Sequence, residues 1–362
     1  MSDRKYRPVY MFIFTGLILM VIMMNYSFNL IYYIQNRIYE NAVKTLFPVE
    51  TYFEDNYDEN AGSVWVDSEY LFGMAQEDKK PATQTDEGVV EAGASVYSQP
   101  SQENAPGNVY NIADLRNYDF LMKFYTVTSI TSLTPEIMRP EEFLAKDLSL
   151  EKNVDAPQIL IFHTHSQEGF TDTVEGDTST TIVGVGDYLT ELLTKKGYNV
   201  IHDRSIYDYV DGILDRNNAY TLASEGAKKI IEDNPTIEIV IDLHRDGIGD
   251  ESKHITTDVA GQTVAPVMFF NGISYTNKLG NIEYLYNPYI EDNLATSFQL
   301  KIKAEEYYPN VFRKIYIKGY RYVLHLKPRS MLIEAGFQTN TKQEVCNSMD
   351  ILADIFDRVF AK

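Results

Sequence analysis

Ionisable side chains directly follow three largely apolar stretches of this sequence, at residues 159–162, 237–243 and 330–333. Residues 159–162 have the continuous hydrophobicity of a strand buried on both faces of a parallel sheet, and the other two stretches are also strongly apolar strands. Ligands of an open α/β sheet bind outside the carboxyl ends of its strands, so these groups are predicted to meet in one place. The groups are His163, His165, Glu168, His244, Asp246 and Glu334.

These residue types suit metal-assisted hydrolysis. Catalytic zinc takes neutral imidazoles and a carboxylate and keeps one position open for water. The metal lowers the pKa of that water towards roughly 7 and polarises the carbonyl under attack, while a free carboxylate moves the proton to the leaving amine. His165, Glu168 and His244 could supply the ligands, and Glu334 the base.

Other residues compete for the same roles. His163 and His165 share a face if the first strand continues, whereas only one of them reaches the site if the strand has ended. Glu175 and Asp177, in the loop that follows, are alternative carboxylate ligands.

The remaining polar groups are expected to support the site or to lie outside it. Asp242 and Asp246 are candidates to hold the ligands by hydrogen bonds, although Asp242 could instead be structural. The single cysteine, Cys346, excludes a zinc site made of cysteines. Three further histidines lack partners such as Glu168 and Glu334 in the sequence and are predicted to be structural or at the surface: His202, His254 and His325.

The elements that must position these groups alternate between strands and helices. This alternation predicts an α/β fold with a mainly parallel, twisted sheet flanked by helices. The predicted helices are 182–196, 217–232, 292–307 and 341–360. The predicted strands are the three named above, 198–202, 264–270, and short ones near Ile315 and Tyr322.

The N-terminal part predicts a membrane anchor. Residues 9–34 form the longest apolar run, which is long enough to cross a hydrocarbon core of about 30 Å as a helix. Arg4, Lys5 and Arg7 precede it within a short tail, residues 1–8, so the N-terminus is predicted to be cytoplasmic and the rest extracytoplasmic. A cleaved signal peptide is the disfavoured alternative, because no Ala-x-Ala-like site follows.

Composition divides the rest of the chain. Residues 35–74 form a juxtamembrane region, and residues 75–108 are too polar to fold and predict a flexible acidic linker. A lead-in subdomain, 109–154, precedes the catalytic domain, 155–362. The net charge of −20 would repel nucleic acid, which excludes that class of partner.

Four segments of the sequence resemble the stage II sporulation protein P family: ILIFHTHSQEGF, VGVGDYLTELLTKKGYNVIHD, VIDLHRDG and PRSMLIEAGFQTNT. The resemblance spans roughly residues 110 to 360. It implies a fold similar to that of zinc-dependent N-acetylmuramoyl-L-alanine amidases. The implied activity is cleavage of the amide between N-acetylmuramic acid and L-alanine in peptidoglycan, with possible endopeptidase activity, to thin the septal wall during engulfment.

The resemblance also implies site residues, partners and location. It favours His165 over His163 as the first zinc ligand, matches His244 to the second histidine and Glu334 to the catalytic glutamate. The middle ligand would be Glu168, with Glu175 as the alternative. Implied partners are stage II sporulation proteins D and M, and the implied location is the mother-cell membrane facing the septal wall. A cross-bridge endopeptidase and a non-catalytic wall-binding scaffold are the rival functions.

Overall fold

The computed structural model describes residues 107–210 and 213–362. The predicted tail, anchor and juxtamembrane region, and nearly all of the predicted linker, lie outside these residues. Among the helices of the described part, none is both long and apolar enough to span a membrane.

Seven helices and thirteen strands, numbered here in chain order, make up the described ranges. The helices are α1 (Ile112–Leu115), α2 (Tyr118–Leu121), α3 (Pro140–Ala145), α4 (Ile182–Lys195), α5 (Arg216–Asp233), α6 (Ile290–Tyr307) and α7 (Lys342–Phe360). The strands are β1 (Tyr125–Val127), β2 (Ile159–Phe162), β3 (Val200–His202), β4 (Tyr209–Val210), β5 (Ile213–Leu214), β6 (Ile239–Asp246), β7 (Thr257–Val259), β8 (Gln262–Val264), β9 (Val267–Gly272), β10 (Tyr275–Thr276), β11 (Gly280–Asn281), β12 (Ile315–Lys318) and β13 (Arg329–Phe337). Short 3-10 helices lie at Met122–Phe124, Thr178–Thr180 and Glu283–Leu285.

A seven-stranded sheet, in the order β1-β12-β9-β13-β6-β2-β3, organises the fold. Neighbouring strands are parallel except β9 and β13, which are antiparallel. The mainly parallel sheet that the sequence predicts is therefore confirmed, with one reversal that periodicity does not reveal. Strand β1, from the lead-in region, adds to one edge of this same sheet.

Helices cover the two faces of the sheet unequally. On one face, α4, α6 and α7 bury Ile161, Ile241 and Leu243 within the larger hydrophobic core. On the other face, α5 packs through Ala223 and its neighbours on a smaller cluster around Phe162 and Val240. Because side chains alternate along a strand, Asp242 and His244 point to the same face as Val240.

Two strands run further than the sequence predicts. Strand β6 continues through His244 to Asp246, and strand β13 continues through Glu334 to Phe337. A bulge between Glu334 and Phe337 carries Gly336 at a φ of 70°, a left-handed backbone that glycine adopts without strain. The predicted strand near Tyr322 is wrong, because this residue lies in a run of turns with a φ of 53°.

Gly186 of α4 allows two histidine rings to pack against the helix. A Cβ atom at this position would lie 2.7 Å from the Nε2 atoms of both His163 and His202. We expect Gly186→Ala to destabilise the protein by about 1 kcal/mol or more. Overpacking typically costs about 1–3 kcal/mol. The higher helix propensity of alanine offsets up to about 1 kcal/mol of this cost. Thermal unfolding monitored by circular dichroism would measure this loss. Gly249→Ala is the control, since nothing lies within 4 Å of a Cβ there, and an equal change in both variants would contradict the packing argument.

Candidate active site

Three side chains converge beyond the ends of β2 and along β6. His165 and Glu168 come from the loop after β2, and His244 comes from within β6. Their ligand atoms lie within 4.8 Å of one another, and all three side chains are buried. His165 Nδ1 is 3.4 Å from Glu168 Oε1, and His244 Nδ1 is 3.6 Å from Glu168 Oε2.

These separations fit a zinc ion. Nitrogen and oxygen ligands about 2.0–2.2 Å from zinc at tetrahedral angles lie roughly 3.3–3.6 Å from each other. Glu168 Oε1 and His244 Nδ1 are buried without a hydrogen bond of ordinary geometry, as expected for atoms that face a common ligand. The described residues therefore offer the donor types and the spacing that zinc requires.

The carboxylate of Asp242 orients His244. The Nε2 atom of His244 lies 2.8 Å from Asp242 Oδ1, and the negative charge of this carboxylate favours a proton on Nε2. The Nδ1 atom, on the other side of the ring, lies beside Glu168 in the position of a candidate metal ligand. Asp242 is fixed in turn by the backbone N–H and the hydroxyl of Thr164, which lies between the two candidate histidines of the loop.

Glu168 is anchored from two sides. The backbone N–H of Arg245 donates to Glu168 Oε2 over 2.8 Å, and the carbonyl of Glu168 accepts from Ile182 at the start of α4. Burial alone would raise the pKa of Glu168, but the imidazoles of His165 and His244 hold it well below its usual range. Burial lowers the pKa of His165, which favours the neutral imidazole that a metal needs.

Glu334 lies beside His244, and one of the carboxylate oxygens of Glu334 makes no hydrogen bond. The two residues are partners in the parallel pairing of β13 and β6, so their side chains leave the same face of the sheet. Glu334 is buried, and its Oε2 atom makes no hydrogen bond. Burial raises the pKa of Glu334 to about 8, and the charge of Asp246 adds to the shift.

Several alternative candidates lie elsewhere. His163 points away from the cluster, with Nδ1 donating to the carbonyl of Leu243 and Nε2 lying 2.8 Å from His202 Nε2. Glu175 and Asp177 are exposed, and Asp177 caps the 3-10 helix at Thr178–Thr180. The structure thus brings together His165, Glu168 and His244, and leaves the other candidates outside.

The remaining predicted residues have other partners. Asp246 forms an ion pair with Arg313 and does not contact a ligand histidine. His202 forms an ion pair with Asp187, and exposed His254 forms one with Glu344. The Nε2 atom of His325 lies 3.5 Å from the Oγ atom of Ser224.

Sequence reasoning missed Tyr220 of α5. Its ring stacks on His244 with centroids 6.3 Å apart and meets the edge of His165 at 5.3 Å. Tyr220 therefore covers the site on the side that faces α5. An aromatic residue within a helical pattern usually indicates packing alone, so no signal in the sequence separates this tyrosine from core residues.

Asp242→Asn should weaken zinc binding roughly 10- to 100-fold, since the amide can still accept from His244 but its negative charge is lost. Competition with a chromogenic chelator would measure the affinity. Asp208→Asn is the matched control, because buried Asp208 bonds Ser166 and Gln167 of the same loop without touching a ligand. Equal affinities in the Asp242 variant and the wild type would refute this role.

Comparison with known proteins places the chain in a family. The family model of stage II sporulation protein P matches residues 49–357. The Stage II sporulation protein P of Bacillus subtilis (strain 168) is 22% identical over 232 residues, which cover 59% of this chain and 54% of that protein. The chain thus matches only about half the length of this relative.

Similar solved structures include the CwlD amidase from Clostridioides difficile in complex with the GerS lipoprotein, at 17% identity and a TM-score of 0.34, covering 56% of this chain and 99% of that one. The N-acetylmuramoyl-L-alanine amidase AmiC2 of Nostoc punctiforme has 12% identity and a TM-score of 0.32, covering 56% and 93%. The family match spans most of the sequence, including every residue of the site described above, and the chain belongs to the stage II sporulation protein P family.

Proposed function

We propose that this protein is a zinc-dependent peptidoglycan hydrolase that cleaves the amide between N-acetylmuramic acid and L-alanine of the stem peptide. The observation that carries the proposal is the buried His165–Glu168–His244 cluster beside Glu334. Family membership supports a role in sporulation, and the names of the two similar structures agree with amidase chemistry.

Each side chain of the site has a role in this proposal. His165, Glu168 and His244 would hold zinc, which when bound would acidify a water molecule and polarise the scissile carbonyl. Glu334 accepts a proton from the attacking water and delivers it to the nitrogen of the leaving L-alanine. Its raised pKa suits this exchange, because a carboxyl group that titrates near neutrality both accepts and donates protons there. Asp242 keeps His244 in the required tautomer.

The setting of the enzyme is part of the same proposal. Residues 9–34 would anchor the chain in the mother-cell membrane, with the catalytic domain on the extracytoplasmic side facing the septal wall. Residues 75–108 would give the domain its reach, and stage II sporulation proteins D and M would be its partners in wall thinning and engulfment.

Digestion of purified peptidoglycan tests the proposal. The full chain, purified in mild detergent and loaded with zinc, is incubated with and without a chelator, and the products are identified by mass spectrometry. Free stem peptides that begin with L-alanine, and that disappear on chelation, are the expected result. Cleaved cross-bridges with intact muramoyl amides would favour the endopeptidase, and undigested wall that retains the protein would favour the scaffold.

A further inference from the structure

Tyr220 of α5 lies directly on the candidate metal ligands and has no part in the reaction described above. Its ring is within 12° of parallel to the ring of His244, with the two centroids 6.3 Å apart. It meets the ring of His165 at 5.3 Å and an angle of 73°. Because the ring contacts two of the three ligands, a substrate that reaches those ligands also reaches Tyr220.

Neighbouring side chains hold the ring of Tyr220 in this position. The ring of Tyr322 meets it edge to face at 5.2 Å, and Tyr322 in turn meets Phe270 at 4.6 Å. Tyr220 also packs against the buried cluster that contains Phe162 and Val240. Since these contacts fix the ring before a substrate arrives, a hydrogen bond from its hydroxyl would require little reorganisation of the protein.

The hydroxyl of Tyr220 makes no hydrogen bond within residues 107–210 and 213–362. Tyrosines that are largely buried usually find a partner for this group, as Tyr198 does by donating to Asp357. The hydroxyl of Tyr125 is also unbonded, but its ring stacks on Phe298 in the larger core, on a strand four places from β6 in the sheet. The unbonded hydroxyl of Tyr220, in contrast, lies where a substrate is expected.

The surroundings of Tyr220 keep its hydroxyl protonated. Burial raises the pKa of Tyr220 well above its usual range, and the carboxylates of Asp242 and Glu334 raise it further. A neutral phenol donates one hydrogen bond, whereas an ionised carboxylate only accepts. Tyr220 therefore adds a donor to a site whose acidic side chains are acceptors.

Tyr220 and Glu334 approach the ligands from different sides. Glu334 leaves the sheet beside His244, its partner in the pairing of β13 and β6. Tyr220 comes from α5, which packs on that same face of the sheet. A substrate held at the ligands therefore meets the proposed proton carrier from the sheet and a hydrogen-bond donor from the helix.

We propose that the hydroxyl of Tyr220 donates a hydrogen bond to the carbonyl oxygen of the scissile amide. The inference rests on the proposed hydrolysis. When the oxygen of water bonds to the carbonyl carbon, the π electron pair of the carbonyl moves to its oxygen, and Glu334 takes a proton from the water. The hydrogen bond from Tyr220 strengthens as this oxygen gains negative charge. When the carbon–nitrogen bond breaks, the electron pair returns, and Glu334 gives its proton to the nitrogen while Tyr220 keeps its own.

Removing the hydroxyl alone tests this inference. The full chain, zinc-loaded in mild detergent, is assayed with a soluble muropeptide, and the products are quantified by mass spectrometry. Tyr220→Phe should lower kcat about 100-fold, and KM and the zinc affinity should stay within about twofold, because the bond strengthens only as the reaction proceeds. Competition with a chromogenic chelator measures the zinc affinity. Calorimetric titration of the Glu334→Gln chain, with and without Tyr220→Phe, should give equal affinities for the muropeptide.

Two further variants separate the hydroxyl from the ring. Tyr198→Phe is the matched control, because its hydroxyl donates to Asp357 and its ring packs in the larger core, and it should keep the wild-type kcat. Tyr220→Leu also removes the ring contacts with His165 and His244, and should lower the zinc affinity as well as kcat.

Two results would overturn the role of the hydroxyl. If Tyr220→Phe keeps the wild-type kcat while Tyr220→Leu loses it, Tyr220 only packs on the ligands. If Tyr220→Phe loses zinc affinity together with kcat, the hydroxyl supports the metal site and not the carbonyl. A wild-type chain that cuts cross-bridges instead would overturn the proposed amidase, and the rate of that cleavage would still decide the role of Tyr220. A wild-type chain that cuts no amide would end both proposals.

Discussion

Replacing Glu334 by glutamine is expected to lower kcat for peptidoglycan cleavage about 1,000-fold while zinc stays bound. Glutamine has the size of glutamate but cannot accept a proton from water or deliver one to the leaving amine, and general acid–base catalysis contributes roughly 10²- to 10⁴-fold. Glu334 is buried without a hydrogen bond at Oε2, so the substitution removes little that stabilises the fold. Release of L-alanine-terminated peptides, measured by mass spectrometry against time, gives the rate.

The control for this prediction is Glu225→Gln on the exposed side of α5, which should keep the wild-type rate. Zinc content, measured by atomic absorption, should equal that of the wild type in both variants. If the Glu334→Gln variant retains zinc and more than a tenth of the wild-type rate, Glu334 is ruled out as the proton carrier.

His244→Ala is expected to abolish both zinc binding and hydrolysis. The substitution removes one ligand of three and leaves Asp242 and Glu168 facing an empty volume. Since loss of a supporting hydrogen-bond partner alone costs about 10- to 100-fold in metal affinity, loss of the ligand itself should cost more than that. Zinc affinity from competition with a chromogenic chelator is the measurement, alongside the rate of digestion.

His254→Ala is the matched control, because His254 is an exposed histidine that pairs only with Glu344 in the described chain. It should keep wild-type affinity and rate. Retention of tight zinc binding by the His244 variant would show that the metal is held elsewhere. Equal losses in both variants would indicate a general effect of losing an imidazole.

Strand positions and the identity of the polar groups at their ends could be predicted from the sequence, because continuous apolar runs are a strong local signal. The strand at Ile159–Phe162 has the bounds that the sequence predicts, and α4 ends within one residue of its prediction. Strand ends were less predictable. Strand β6 continues to Asp246, because pairing with β13 satisfies its backbone beyond the apolar run.

The choice between His163 and His165 could not be made from alternation. Both histidines follow β2, where the chain leaves the sheet, and regular alternation no longer decides which way a side chain points. The structure turns His163 towards His202 and Leu243, and His165 towards Glu168. The position of Tyr220 at the site depends on contacts between distant segments, which no local pattern encodes.

The reversal between β9 and β13 has a consequence for the timing of folding. Strand β13 follows every other strand of the seven-stranded sheet in the sequence, yet it lies between β9 and β6 and joins the two groups of parallel strands. Until it is inserted, β9 and β6 each present an unpaired edge. Such late, long-range pairing is slow, because loops must close before the contacts form. Glu334 lies on this same strand, so the proposed proton carrier is absent until the sheet closes, and a partly folded chain lacks the complete proposed site.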